Sequence, residues 1–253
     1  MRKLFCFILL NILFGKAVFC QIKDSIQTSP QPYATQKFSS YIAPAVLLSY
    51  GTISLLGSNF IRDLDFSTHF ELKEDHPNFN VKLDNYMRYA PLVAVYGLDL
   101  IGIKAKHSFA DRSASLLLSA AIMVTTVSTL KGITNRLRPN GTNNHSYPSG
   151  HTATAFMLAE FLNQEYKDRS VWFGIAGYSL AAGTGVFRMY NKAHWISDVV
   201  AGAGFGMLAT KLAYLAYPKI KKLVLPNSTT NFTLTPSYQQ GTAGFSLSYQ
   251  IGK

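Results

Sequence analysis

The chain contains runs of apolar residues that are long enough to cross a lipid bilayer. Ile42–Ile61 has 20 residues without a charge, and Ser113–Leu130 has 18. About 20 apolar residues in a helix span the hydrocarbon core of a membrane. Four further apolar runs are shorter, richer in small residues or interrupted by one charge: Ala90–Ile103, Thr152–Leu162, Val171–Phe187 and Trp195–Tyr217. The pattern predicts an all-α, integral-membrane helical bundle with about five to six spans.

The charge balance also favours a membrane protein. Only 15% of the 253 residues are charged, whereas soluble domains have about 25%. The net charge is +11, and the basic residues lie mostly in short gaps between the apolar runs, as in loops that flank membrane spans. Nucleic-acid binding is therefore not expected, because such proteins cluster Lys and Arg on a polar face. The two cysteines, Cys6 and Cys20, are too few for a disulfide scaffold or a thiolate metal site.

The two ends of the chain differ from its centre. Residues 1–20 predict a secretory signal peptide, because Arg2 and Lys3 precede an 11-residue apolar stretch; an uncleaved anchor is the alternative. Residues 21–41 form a polar N-terminal segment. Residues 42–222 are the expected membrane helical domain, with its core at 90–217. Inside this domain, residues 62–88 are mixed and acidic, which predicts an extramembrane loop or a surface-lying helix.

The last part of the chain, residues 223–253, changes its periodicity. Pro218 is expected to end the preceding helix. Beyond it, apolar and polar residues alternate on both sides of a turn at Gln239–Gly241. Alternation with a period of two predicts a small C-terminal β-hairpin.

Three polar clusters lie at the edges of apolar runs. They are Lys131 with Arg138-Pro139, the tetrapeptide Pro148-Ser149-Gly150-His151, and Arg188 with His194 and Asp198. His194 and Asp198 are four residues apart at the start of a helical run, so they share one face and the carboxylate can reach the imidazole. Such a pair orients a nucleophilic or basic histidine.

The other cluster residues suit an anion. Ser149, Gly150 and His151 open a helix, where backbone N–H groups and the helix dipole favour negative charge. Three cations come from three chain segments, as a doubly charged phosphate requires: Lys131, Arg138 and Arg188. Taken singly, such residues are usually interfacial and extend towards the headgroups. Taken together, charged groups at the edges of membrane helices indicate a shared function.

These motifs, ten residues in fixed order and spacing between Lys131 and Asp198, resemble the type 2 phosphatidic acid phosphatase (PAP2) superfamily, which also contains vanadium haloperoxidases. The resemblance implies that His194 is the nucleophile, that Asp198 is its partner and that His151 protonates the leaving oxygen. It implies that five residues hold the phosphate: Lys131, Arg138, Ser149, Gly150 and Arg188. The implied reaction proceeds through a phosphohistidine, and we expect it to need no metal ion or other cofactor.

Two features depart from the family pattern. Phe187 stands where many members have Ser, and only eight residues separate Pro139 from Pro148, so the substrate is harder to infer than the reaction. Three polar residues remain outside the motifs: Asp99, Glu160 and His145. The first two are expected to be helix-packing or interfacial residues, and His145 a loop residue near the substrate.

The expected protein is a membrane phosphatase of a lipid phosphate, embedded in the bacterial inner membrane among membrane lipids. A vanadate-dependent haloperoxidase and a non-catalytic membrane scaffold or anion-binding protein are the alternatives. A full crossing by Ile42–Ile61 would place the site on the cytoplasmic face. The loop charges weakly favour a periplasmic site, because its inner segments would hold eight Lys and Arg against six for the opposite orientation. The sequence gives no indication of the oligomeric state.

Overall fold

The computed structural model of the protein describes residues 37–224, 232–239 and 242–249. The expected signal peptide at 1–20 and most of the polar segment at 21–41 lie outside the described residues, as do two of the three residues in the expected turn of the hairpin.

Within the described residues, a 3₁₀ helix at Phe38–Tyr41 leads into eight α-helices and two strands. The helices are α1 (Ile42–Ile53), α2 (Phe60–Asp75), α3 (Asp84–Met87), α4 (Ala90–Leu100), α5 (Phe109–Thr134), α6 (Gly150–Tyr166), α7 (Val171–Tyr190) and α8 (Ile196–Val224). The strands β1 (Phe232–Gln239) and β2 (Thr242–Tyr249) pair antiparallel, with Phe232 opposite Tyr249.

Helix α8 lies at the centre of the bundle and packs against α6, α1 and α5. Glycines on α8 permit this close approach. A methyl group added at Gly206 would lie 2.2 Å from the carbonyl oxygen of Ala153 on α6, and one at Gly202 would lie 2.6 Å from that of Ser149. On another face of α8, a methyl group at Gly204 would lie 3.0 Å from the carbonyl oxygen of Pro44 in α1. Small residues thus let three helix backbones meet, as in membrane helix bundles.

Two of the described helices, α5 and α8, are long and apolar enough to cross a membrane. Helix α5 exposes large apolar side chains along its length, among them Leu117, Val124 and Ile133, as expected where a helix faces lipid. The two helices are fewer than the five to six spans expected from the sequence. The reason is that the other apolar runs form shorter helices or helices with more polar residues.

The expectation of one 20-residue span at Ile42–Ile61 is wrong. Helix α1 ends at Ile53, and Gly57 adopts a left-handed backbone with φ of 77° before α2 begins. The Asn59 side chain then caps α2 by accepting a hydrogen bond from the Arg62 amide at 3.0 Å. The 12 residues of α1 extend about 18 Å, which is less than the thickness of a bilayer core. The region 62–88 contains α2 and α3, so its helical alternative is the one observed.

The expectation that Pro218 ends the last helix is also wrong, because α8 continues to Val224. Proline removes one backbone donor but does not prevent a helix from continuing when other contacts hold the chain. Tyr217 and Lys221, on either side of Pro218, both bind Asp111 at the start of α5, at 2.8 and 2.6 Å. These tertiary contacts fix the C-terminal turns of α8 against α5.

The close contact between α6 and α8 generates a stability prediction. Gly206→Ala should lower the free energy of unfolding by about 1–3 kcal/mol, because the added methyl group must push two backbones apart. The measurement is thermal unfolding of the purified protein in detergent. Gly97→Ala on α4 is the matched control, since nothing lies within 4 Å of the added methyl group there. Equal stability of the two variants would contradict this packing.

Candidate active site

A backbone hydrogen bond links the N-cap of α6 to the first turn of α8. Ser149 is the N-cap of α6, and its backbone N–H donates to the carbonyl oxygen of Asp198 at 2.9 Å. The Pro148-Ser149-Gly150-His151 segment therefore lies against the helix turn that carries Asp198. His151 follows in the first turn of α6, near the dipole end that favours an anion.

The first cluster, Lys131 with Arg138-Pro139, lies at the end of α5 and in the loop that follows it. Asn135 ends that helix in a left-handed conformation with φ of 43°, which turns the chain into the loop before α6. Lys131 donates from Nζ to the carbonyl oxygen of His145 at 2.6 Å, and its Cε would lie 4.0 Å from a methyl group at Gly150. Arg138 is held within the loop, where its Nε donates to Asn143 Oδ1 at 3.0 Å. Lys131 is thus beside the first turn of α6.

The short helix α3 contacts two of the expected site residues. Asp84 accepts a hydrogen bond from Arg188 on α7, with 2.9 Å between Oδ2 and NH1. The neighbouring Asn85 Oδ1 lies 2.7 Å from His151 Nε2. Because the sequence placed α3 in a surface segment, neither Asp84 nor Asn85 was expected at the site.

His194 and Asp198 face each other inside the protein. His194 Nδ1 lies 3.7 Å from Asp198 Oδ2, which is an ion-pair distance rather than a hydrogen bond. His194 is 3% exposed and Asp198 is fully buried. The same carboxylate oxygen accepts from Ser146 Oγ at 2.5 Å and from the Trp195 amide at 3.0 Å. These donors fix the carboxylate beside the imidazole.

The charged residues of the three clusters form one electrostatic group. Lys131 interacts with Arg138, Arg188 and Asp198. His194 interacts with Lys131 and Arg188, and His151 interacts with Arg188 and His194. The Ser149 backbone N–H contacts Asp198, and Gly150 lies beside Lys131, so the structure places the eight expected site residues in the same region of the bundle. The chemical role of each residue stays a prediction.

Burial controls the protonation of His194. Desolvation lowers the pKa of its imidazole from 6.5 to about 4; Asp198 opposes this effect, and Arg188 and Lys131 add to it. His194 is therefore neutral at pH 7, with a nitrogen lone pair available for nucleophilic or basic chemistry.

Sequence reasoning treated Arg136 as a loop charge, but it is central to the site. Its guanidinium donates from NH2 to Asp65 at 2.7 Å, and from NH1 to Asp198 and Ser197, each at 2.8 Å. It also lies 5.7 Å from the ring centre of Trp195. The sequence offers one signal for the role of Arg136, which is its position two residues before the motif residue Arg138. Nothing in the sequence pairs it with Asp65, 71 residues away.

The three residues left outside the motifs have separate places. Asp99 pairs with Arg112 at 2.5 Å, and the fully buried Glu160 pairs with Lys211 at 2.7 Å; both contacts join different helices, as expected for packing residues. His145 lies exposed in the loop before α6. In the described part of the chain, no group of three or more His, Cys, Asp or Glu side chains is arranged to hold a metal ion.

Comparison with known proteins relates part of the chain to a known family. Residues 112–222 match the model of the PAP2 superfamily, so the resemblance indicated by the motifs is confirmed. The chain is 40% identical over 167 residues to a lipid A 1-phosphatase of Porphyromonas gingivalis; the match covers 65% of this chain and 36% of that protein. The chain therefore spans about a third of the length of the curated relative that it matches.

Two solved structures are also similar. One is a transmembrane PAP2-type phosphatidylglycerolphosphate phosphatase from Bacillus subtilis, with 20% identity, a TM-score of 0.49 and coverage of 71% of this chain and 98% of that chain. The other is LpxE of Aquifex aeolicus, with 22% identity, a TM-score of 0.43 and coverage of 56% of this chain and 91% of that chain.

The buried position of His194 generates a pH prediction. Its ring should stay neutral as the pH falls through 6.5 and should become protonated only near pH 4. The measurement is a pH titration of the ¹⁵N-histidine NMR spectrum in detergent, with His194→Gln to assign the resonance. Titration of His194 at or above pH 6.5 would contradict the burial of its ring.

The Arg136 contacts generate a second prediction. Arg136→Met should lower the free energy of unfolding by about 3–5 kcal/mol, because it leaves two buried carboxylates without their cation. Arg62→Met is the control, since Arg62 is exposed on α2 and should change stability by less than about 0.5 kcal/mol. Denaturation curves of both variants in detergent measure the difference. Similar curves would show that Arg136 is not a structural cation.

Proposed function

From the match of residues 112–222 to the PAP2 superfamily, we propose that this protein is an integral-membrane phosphatase that hydrolyses a lipid phosphate monoester or diphosphate through a phosphohistidine. The observation that carries the proposal is that the first turn of α6 contacts the other motif segments: the Ser149 amide binds the carbonyl oxygen of Asp198, Gly150 lies beside Lys131, and His151 and Arg188 contact the neighbouring residues Asn85 and Asp84. Two imidazoles and three cations from separate chain segments are thereby close enough to influence one another. Such a group can bind a tetrahedral anion and also supply a nucleophile and an acid.

In the proposed first step, His194 attacks phosphorus. Its Nδ1 faces Asp198, which leaves Nε2 for the attack. The nitrogen–phosphorus bond forms as the bond from phosphorus to the leaving oxygen breaks, and His151 donates a proton to that oxygen. Burial and the charge of Arg188 lower the pKa of His151 to about 3, so His151 must take up this proton together with the negatively charged substrate. The Asp198 carboxylate stabilises the positive charge that develops on the His194 ring. For a diphosphate substrate, the leaving group is a phosphate rather than an alkoxide.

In the second step, a water molecule attacks the phosphorus of the phosphohistidine. His151, now neutral, accepts a proton from this water, and the nitrogen–phosphorus bond breaks. Inorganic phosphate leaves, and His194 returns to its neutral form. Burial favours that neutral form, so it assists the departure of the phosphoryl group.

The phosphate oxygens are proposed to be bound by residues of all three clusters. Lys131, Arg138 and Arg188 supply positive charge, and guanidinium groups can hold two oxygens at once. Ser149 and Gly150 add a hydroxyl group and backbone N–H groups at the start of α6. Together these groups stabilise the negative charge on the three equatorial oxygens during transfer.

A lipid substrate suits the position of this group on an apolar bundle, where a headgroup can reach the site while its acyl chains remain in the bilayer. The relative from Porphyromonas gingivalis is a lipid A 1-phosphatase, so a lipid A 1-phosphate is the first substrate to test. The haloperoxidase alternative would place vanadate in the same group of residues, and bromide oxidation tests it. A scaffold role would leave the cellular function intact after His194→Ala.

The proposed location is the bacterial inner membrane, with the site facing the periplasm. The 12 residues of α1 are too few to cross as a straight helix. The full crossing by Ile42–Ile61 that would place the site inside is therefore not required. Arg136 is part of a buried network, so it no longer counts as a cytoplasmic loop charge in that orientation. Both points support the outward orientation.

Phosphate release from lipid A 1-phosphate, phosphatidate, phosphatidylglycerophosphate and isoprenyl diphosphate tests this proposal. The wild type should release phosphate from at least one of them, also after prolonged chelation, and His194→Ala should lower kcat about 10³-fold or more. His76→Ala is the histidine control and should retain activity, since His76 is exposed at the end of α2.

The intermediate provides a sharper test. With a substrate whose leaving group needs no proton, His151→Ala should form the phosphoenzyme but hydrolyse it slowly, because the water then lacks its base. A ³²P label should accumulate on the protein, resist alkali and be lost in acid. Full activity of His194→Ala, or loss of wild-type activity on chelation, would contradict the mechanism.

A further inference from the structure

We propose that Asp65 on α2 is a positioning residue for His194. Asp65 acts on His194 through Arg136 and Asp198. The proposal rests on the phosphatase function proposed above. Asp65 lies outside the three motifs and outside residues 112–222, the segment that matches the family model. If Asp65 positions His194, turnover requires α2, a helix that precedes the matched segment.

Asp65 is the buried residue of an otherwise solvent-accessible helix. It is 1% exposed, whereas α2 carries exposed charges such as Asp63 and Glu71. Its two carboxylate oxygens make three hydrogen bonds. Oδ1 accepts from the Ser197 amide at 2.9 Å, and Oδ2 accepts from Ser197 Oγ at 2.6 Å and from Arg136 NH2 at 2.7 Å. A carboxylate buried in this way is held by specific partners.

Arg136 connects Asp65 to Asp198, which lies beside the proposed nucleophile His194. Its NH1 donates to Asp198 Oδ1 at 2.8 Å, while the other oxygen, Oδ2, faces His194. One guanidinium is thus shared by two carboxylates, which leaves the group of three with one excess negative charge. Without the charge of Asp65, Arg136 would neutralise Asp198 alone. The negative potential at His194 Nδ1 would then fall.

That potential has a definite chemical effect. A negative carboxylate beside Nδ1 favours the tautomer with the proton on Nδ1, which leaves the lone pair on Nε2 for attack on phosphorus. The same charge stabilises the ring once phosphorylation makes it positive. Asp65 touches neither the phosphate nor the reacting nitrogen in this account, so its loss should affect kcat and leave substrate binding nearly unchanged.

Asp65 also holds the Ser197 amide at the start of α8, so a purely structural role must be distinguished. The experiment compares Asp65→Asn with Asp63→Asn, the same substitution at an exposed position of the same helix. The kcat of each variant is normalised to the fraction of enzyme that binds vanadate. For Asp65→Asn, we expect kcat to fall about 10–100-fold with KM within about 2-fold. Asp63→Asn should match the wild type.

A double-mutant cycle with Asp198→Asn tests the route. If Asp65 acts through Asp198, Asp65→Asn should lower kcat by less than about 2-fold once Asp198 is already Asn, because the charge it supports is gone. Equal fold-losses in both backgrounds would overturn the proposal and leave Asp65 a structural residue. A KM that rises with no change in kcat would also overturn it.

The tautomer of His194 provides a readout that does not depend on activity. ¹⁵N shifts at pH 7 should show the proton on Nδ1 in the wild type and in Asp63→Asn, and a shift towards the Nε2–H form in Asp65→Asn. An unchanged tautomer would overturn the proposal. Absence of phosphate release by the wild type would instead contradict the proposed function, and the tautomer comparison would still decide whether Asp65 orients His194.

Discussion

A single guanidinium holds the site together. Arg136 bridges the buried carboxylates of Asp65 and Asp198, which lie on α2 and α8, while it comes itself from the loop after α5. Burial of two carboxylates is costly unless a cation and hydrogen bonds compensate it. The bridge therefore fixes three chain segments at once. Because Asp198 also faces His194, the same contact that secures the fold sets the charge beside the proposed nucleophile.

Close helix packing supplies the other half of the geometry. Gly202 and Gly206 allow α8 to approach the backbone of α6, and at that distance the Ser149 amide reaches the carbonyl oxygen of Asp198. Backbone contacts thus fix the position of the anion-binding turn relative to the His194–Asp198 pair. A wider separation of α6 and α8 would move His151 away from His194. In this protein the small residues of the bundle serve both membrane-type packing and the alignment of the site.

The sequence predicted α5 to α8 and the three motifs, because helix periodicity and motif spacing are local properties of the chain. It did not predict the break after Ile53 or the continuation of α8 past Pro218, which depend on a left-handed glycine and on contacts with Asp111. It also missed the site contacts of Asp65 and Asp84. On amphipathic or short helices such acids look like surface residues, and their partners lie 71 and 104 residues away. Only the folded chain brings those pairs together.

The most direct test is a crystal structure with bound vanadate, which adopts the geometry of phosphoryl transfer. We expect vanadium bonded to His194 Nε2, with side-chain nitrogens of Lys131, Arg138 and Arg188 within hydrogen-bond distance of its oxygens and His151 opposite the nucleophile. Vanadate bound away from His194, or held by His194 without the three cations, would contradict the claim that these residues surround one tetrahedral anion.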